Sequence, residues 1–113
     1  MTGPAEAREI FERLADRFRA EHSVTEGTGF GSNPGLRVRG KIFAMLAHGA
    51  LVVKLPADRV TGLVDEGVAE RFDAGKERPM REWAEVPAEH ADRWDALAGE
   101  AFEFVGSPGQ QSR

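Results

Sequence analysis

Seven residues carry the charge and aromatic surface best suited to a binding role. Arg37, Arg39 and Lys41 alternate through Leu-Arg-Val-Arg-Gly-Lys at 36–41. Lys54 closes the apolar run Leu51-Val52-Val53, and Lys76 and Arg78 lie, together with Arg81, in Lys-Glu-Arg-Pro-Met-Arg at 76–81, just before Glu82 and Trp83. A basic hairpin can act as a wing on nucleic acid, because a two-stranded ribbon enters a DNA groove and its cations contact phosphates. The second group suggests an anion pocket, since a guanidinium presents a planar fork of donors to a carboxylate or phosphate. Each feature also has a plainer reading. Charged residues protect an exposed strand from edge-to-edge pairing, and a basic turn can be merely solvated while Trp83 packs inside. The plainer readings are favoured.

Residues for bond-making chemistry are not arranged in any motif. His22, His48 and His90 have no partner His, Asp or Glu at helical metal-site spacing, and a zinc site needs several converging ligands. Ser23, Ser32, Ser107 and Ser112 lie in loop-like or terminal sequence, none in a Gly-x-Ser-x-Gly elbow, and tyrosine is absent. The carboxylates fall mainly on helix faces, whereas a catalytic pair needs a sheltered cleft that drives its pKa values apart. Gly27-Thr28-Gly29-Phe30-Gly31 does not match the dinucleotide fingerprint. The expectation is a non-enzyme with no catalytic residues, no metal and no cofactor.

Composition agrees with a small cytoplasmic domain. The chain has 113 residues, no cysteine and a formal charge of −4, which suits one domain without disulfide staples. No basic stretch followed by an apolar run opens the chain, and no segment is apolar enough to span a membrane. Residues 1–55 hold eight Lys/Arg against six Asp/Glu, and residues 56–113 hold seven against thirteen. Nucleic-acid-binding domains are usually basic, so the acidic balance weighs against that partner, although the first half could present a modest basic face.

The elements that must position these residues are legible from periodicity. Ala7, Ile10, Phe11, Leu14 and Phe18 recur at helical spacing and predict a helix over 4–20. Three strands follow at about 36–39, 42–47 and 50–55, after a glycine-rich stretch at 27–35 that reads as a loop or a broken strand. Gly40-Lys41 suits a type II′ turn and His48-Gly49 a type I′ turn. Those turns set Arg39 opposite Ile42, Val38 opposite Phe43, Leu36 opposite Met45, Leu46 opposite Leu51, Met45 opposite Val52 and Phe43 opposite Lys54. One face then carries Ile42, Ala44, Leu46, Leu51, Val53 and Leu55, and the other Leu36, Val38, Phe43, Met45, Val52 and Lys54. Both faces are apolar, so helices or a second subunit should cover each. A short helix follows from Pro56 to about Glu66, stopped by Gly67. Phe72 reads as a core anchor, with Asp73-Ala74-Gly75 as a turn. A strand over 80–86 directs Trp83 away from Met80, Ala84 and Val86. A last helix from Pro87 to about Val105 carries the stripe Trp94, Leu97, Ala98, Ala101, Phe102 and Val105. Residues 1–106 form one α+β domain with a central antiparallel sheet, and 107–113 are expected to be a disordered tail.

Gly40-Lys41-Ile42-Phe43-Ala44, Leu51-Val52-Val53-Lys54-Leu55, and Arg78-Pro79-Met80 with Trp83, Val86 and Pro87 together resemble the TfoX N-terminal domain family. They are also similar to the related MmcQ/YjbR-like group. The resemblance spans roughly residues 10–105 and implies an antiparallel sheet with helices packed on it. The chain departs from the family at the strand after the first helix, where Gly29-Phe30-Gly31 is the nearest match to a Met-Phe-Gly-Gly-like sequence. Full-length TfoX proteins regulate competence and carry a second domain that this sequence lacks, so that role is not expected to transfer. DNA binding has been proposed for the YjbR-like group. The leading expectation is a non-enzymatic interaction or regulatory domain, a homodimer or bound to a protein partner. The alternatives are nucleic-acid binding through Arg37, Arg39 and Lys41, and binding of a small anion near Lys54, Lys76, Arg78 and Trp83.

Overall fold

The computed structural model describes residues 4–21, 24–28, 34–47, 49–72 and 81–106. Its elements run α1 (Pro4–Arg19), β1 (Val24–Thr28), β2 (Pro34–Val38), β3 (Lys41–Ala47), β4 (Ala50–Lys54), α2 (Ala57–Asp65), β5 (Glu70–Arg71), β6 (Trp83–Pro87), a 3-10 helix (Ala88–Arg93) and α3 (Trp94–Gly106). The strands form one antiparallel sheet in the order β1-β2-β3-β4-β6-β5. This is an α+β fold. The chain leaves β4 through α2, runs briefly along the sheet edge as β5, and returns as β6 between β5 and β4.

The helices form because their apolar residues fall on one stripe. Phe11, Leu14, Ala15 and Phe18 of α1, Val60 and Leu63 of α2, and Leu97, Ala98, Ala101 and Val105 of α3 join one buried cluster. The same cluster takes Leu36, Val38, Phe43, Ala44, Leu46, Leu51, Val53, Ala84 and Val86 from the sheet. All three helices therefore cover one sheet face. Phe18, Phe43 and Phe102 meet there with ring centres 5.3–5.5 Å apart, a range that favours edge-on contacts. Gly67 ends α2 as expected, with a φ of 78°. The Val68 N–H reaches the Leu63 carbonyl and the Gly67 N–H reaches that of Val64, which closes the helix in a Schellman motif.

The second face is buried as well. Met45, Ala47, Val52, Phe72 and Trp83 form a smaller cluster there, each at most 7% exposed, with Ile42 packed against it. Phe72 is thus a core anchor, but of this second cluster. The homodimer expectation drew on an uncovered apolar sheet face, and within one chain these residues are already out of water.

Two expectations about the hairpins are corrected. The first turn is Arg39-Gly40, not Gly40-Lys41. Val38 pairs with Lys41, and Arg39 and Gly40 have φ of 53° and 81°, the positive pair that a type I′ turn requires. The register then shifts between Leu36 and Arg37, so that Leu36 pairs with Ala44 and Arg37 with Ile42. Phe43 is the extra residue, and this β-bulge turns both Phe43 and Ala44 toward the helices. Turn and bulge together move Leu36, Val38 and Phe43 to the helix-covered face and Ile42 to the other, because a one-residue slip exchanges the faces of a strand. The second hairpin has the expected register, with Leu46 opposite Leu51 and Met45 opposite Val52. Gly49 sits at φ 73°, and His48 lies outside the described residues.

Three further boundaries differ. The glycine-rich stretch begins in a strand, β1, and Glu70–Arg71 add an edge strand at the other end. Pro87 is still extended, opposite Ala50. The chain then takes a 3-10 path broken at His90 (φ −110°, ψ 29°), so the α-helix starts at Trp94 instead of Pro87. Asp73-Ala74-Gly75, Met80 and the expected tail at 107–113 lie outside the described residues.

Candidate functional site

Lys54 and Trp83 become neighbours through sheet pairing. Lys54 ends β4, Trp83 begins β6, and the two are direct partners in the antiparallel register. The backbone around them is fixed on both sides. The Leu55 N–H donates to the Glu82 carbonyl at 2.9 Å, and the Phe72 N–H donates to the Trp83 carbonyl at 2.9 Å. The Lys54 Nζ lies 5.8 Å from the centre of the Trp83 ring, within cation–π reach. It also lies 3.9 Å from Glu82 Oε1.

These residues border an open cleft of about 450 Å³, whose described lining is Lys54, Ala57, Arg81, Glu82 and Trp83. Arg81 is exposed at its rim. Trp83 is largely buried on the second face and also lines the cleft. Ala57 opens α2. The preceding Pro56 has an extended backbone and supplies no side-chain cap. The first-turn amides there add a fraction of positive charge to the same corner, with Asp58 in that turn as a counterweight. The two cationic side chains can hold an anionic group by charge-assisted hydrogen bonds, against the charge of the one carboxylate. Lys76 and Arg78, expected at this site, lie outside the described residues.

Arg37, Arg39 and Lys41 are not gathered in the same way. Arg39 and Lys41 are exposed, and Arg37 is partly buried. Cross-strand partners share a sheet face. Arg37 therefore goes with Ile42, on the second face, and Lys41 goes with Val38, on the helix-covered face. Arg39 occupies the turn itself. The hairpin thus divides its cations between the two sides of the ribbon.

Other charged groups act between elements. Arg17 reaches Asp95 at 2.8 Å and ties α1 to α3. Arg59 contacts both Glu100 oxygens at 2.9 and 3.0 Å and ties α2 to α3, and this paired hydrogen bonding raises the Arg59 pKa. Arg19 joins Glu26 on β1 as well as Glu12 and Asp16 on its own helix. Hydrogen bonding from Arg19 holds the Glu26 carboxyl below its ordinary value. His90 sits 3.5 Å from its neighbour Glu89. Among the described residues, no three His, Cys, Asp or Glu converge as metal ligands would. No described helix is long and apolar enough to cross a membrane.

Reading the sequence alone missed Glu82 and Ala57 as lining residues, and it placed Arg81 in the basic turn with Lys76 and Arg78 without carrying it into the set with Lys54 and Trp83. The available signal was the position of Arg81 and Glu82 directly before Trp83, once Trp83 is set opposite Lys54. Comparison with known proteins finds no matching family, no matching curated relative and no matching solved structure.

Proposed function

We propose that this domain is a non-catalytic binding module that recognises an anionic group, carboxylate or phosphate, in the cleft bordered by Lys54, Arg81 and Trp83. One observation carries the reading: the β4–β6 register sets Lys54 directly opposite Trp83 at the edge of a concave surface that Arg81 also lines. A cleft with a few convergent polar groups is the usual form of a small-ligand site. Lys54 and Trp83 are both among the residues that resemble the TfoX N-terminal domain family, and the β4–β6 register pairs them. A role in regulation follows if the anion belongs to a signalling metabolite or to a protein partner.

Two-dimensional NMR tests the proposal. Inorganic phosphate and acetate are titrated separately at constant ionic strength while the two indole N–H signals are followed. The Trp83 signal should move saturably, and Trp94, fully buried, should serve as the unmoved reference. Lys54→Met combined with Arg81→Ala should abolish the movement. A Trp83 signal indifferent to both anions would defeat the proposal.

A further inference from the structure

We infer that Glu82 is a built-in competitor for the cleft: its carboxylate occupies Lys54 in the free protein and is displaced by the incoming anion. The inference rests on the cleft being an anion site and goes beyond it, by assigning one of its residues a regulatory role.

The geometry of the Lys54–Glu82 pair differs from that of the two pairs that tie the helices together. Arg17–Asp95 and Arg59–Glu100 are closed at 2.8–3.0 Å with aligned hydrogen bonds. Lys54 and Glu82 approach only to 3.9 Å, beyond the range of a hydrogen bond. Their attraction is therefore mainly coulombic, and both side chains are in contact with water, at 30% and 46% exposure. Lys54 keeps a second partner, the Trp83 ring, so releasing Glu82 does not leave the ammonium without support.

The backbone makes the exchange local. The Glu82 carbonyl is held by the Leu55 N–H, so its main chain stays in the sheet while the carboxylate swings on its own side-chain torsions. The Glu82 side chain, 46% exposed, is not among the buried residues of the core. A ligand carboxylate or phosphate offers Lys54 the same kind of oxygen and can reach Arg81 as well. Glu82 stays at the wall of the cleft after it yields, and its charge then opposes the ligand's. Both effects make Glu82 lower the affinity for anions and favour a singly charged group over a doubly charged one.

Exposed ion pairs of this kind contribute up to about 1 kcal/mol, and that limit corresponds to about fivefold in a dissociation constant. The test is a phosphate titration of the wild type, Glu82→Gln, Lys54→Met and the Lys54→Met/Glu82→Gln double variant, read on the Trp83 indole signal. Glu82→Gln should tighten phosphate binding by about fivefold over the wild type, and the gain should shrink when Lys54 is already gone. If phosphate binds the wild type and Glu82→Gln equally, and Lys54→Met weakens both, the competitor role is overturned while the cleft stands. If phosphate moves the Trp83 signal in neither the wild type nor Glu82→Gln, the cleft reading itself falls.

Discussion

The Lys54 ammonium stands 5.8 Å from the centre of the Trp83 ring, across strands that pair these two residues directly. Lys54 therefore ends its strand with its ammonium within reach of an aromatic ring and beside a cleft that both residues line. Binding and stability should separate at this position. Lys54→Met keeps the apolar stem and removes a charge whose ion pair with Glu82 is loose and exposed. Unfolding stability should stay within about 0.5 kcal/mol of the wild type, while the anion response of the Trp83 indole is weakened. Urea denaturation and the NMR titration, run on the same sample, measure the two sides. A loss of several kcal/mol would mean that Lys54 is structural and the cleft incidental.

Arg39 occupies a conformation that an arginine rarely adopts, with φ at 53° in the first turn position. Left-handed backbone costs an ordinary side chain roughly 1 kcal/mol, and asparagine tolerates it better. Arg39→Asn creates the Asn-Gly pair typical of type I′ turns and should stabilise the protein by about 0.5 kcal/mol. The readout is the urea midpoint. The expected gain is specific to the Arg39-Gly40 turn: were the turn Gly40-Lys41, Arg39 would sit in the strand and asparagine there would destabilise.

This turn also marks where the fold stopped being legible in the sequence. The α1 and α3 stripes were readable because helix period is local, and the β3–β4 register because Gly49 has one natural place in its turn. Gly40, by contrast, fits either as the first residue of a II′ turn or as the second of a I′ turn. The choice is made by how Leu36 and Val38 pack under α3, which is tertiary information. The bulge at Phe43 has no local signal either, since Phe43 and Ala44 read as ordinary alternation. β1 is short and polar, and the two-residue β5 exists only because β6 is beside it. The cleft was half legible: Lys54 and Trp83 could be named together and Arg81 stood in the basic turn before Trp83, but only the β4–β6 pairing joins them to Glu82 and Ala57.

The buried second face bears on assembly. Met45, Val52, Phe72 and Trp83 are all at most 7% exposed within one chain, so this face leaves no broad apolar surface to drive association. The protein should sediment as a monomer from micromolar to near-millimolar concentration. A stable dimer in sedimentation velocity would place the interface elsewhere and restore the homodimer reading. Phe72→Ala should create a void in this small cluster and cost about 3 kcal/mol, visible as a lower urea midpoint.

Trp94 joins α3 to the sheet by more than packing. It is fully buried, and its Nε1–H donates to the Val86 carbonyl at 3.1 Å. Trp94→Phe removes the donor and leaves unfilled volume beside the oxygen it served. The two losses together should cost about 2–3 kcal/mol. Because Trp94 belongs to the helix-covered cluster and does not line the cleft, the Trp83 indole should still respond to phosphate in this variant, provided the titration is run well below the unfolding transition. Loss of the response in a folded Trp94→Phe protein would show that the two tryptophans are coupled through β6.

The Arg19–Glu26 contact predicts an acid-sensitive tie between α1 and β1. Glu26 has its pKa lowered from 4.5 by the Arg19 hydrogen bond, so the folded state favours the charged carboxylate more than the unfolded chain does. The stabilisation is then fully present above that ordinary value and fades as the pH falls through the lower folded value. Both side chains are well exposed, at 36% and 52%, so solvent screening limits the contribution to about 0.5 kcal/mol at neutral pH. Glu26→Gln should lose that amount at pH 7, and the gap from the wild type should close below pH 4.5. Raising the salt concentration at pH 7 should narrow the same gap, because an exposed pair is screened over a Debye length of about 10 Å. Urea midpoints for the two proteins across this range measure it. A gap that persists unchanged in acid would show that Glu26 acts through hydrogen bonding that glutamine cannot reproduce, and not through its charge.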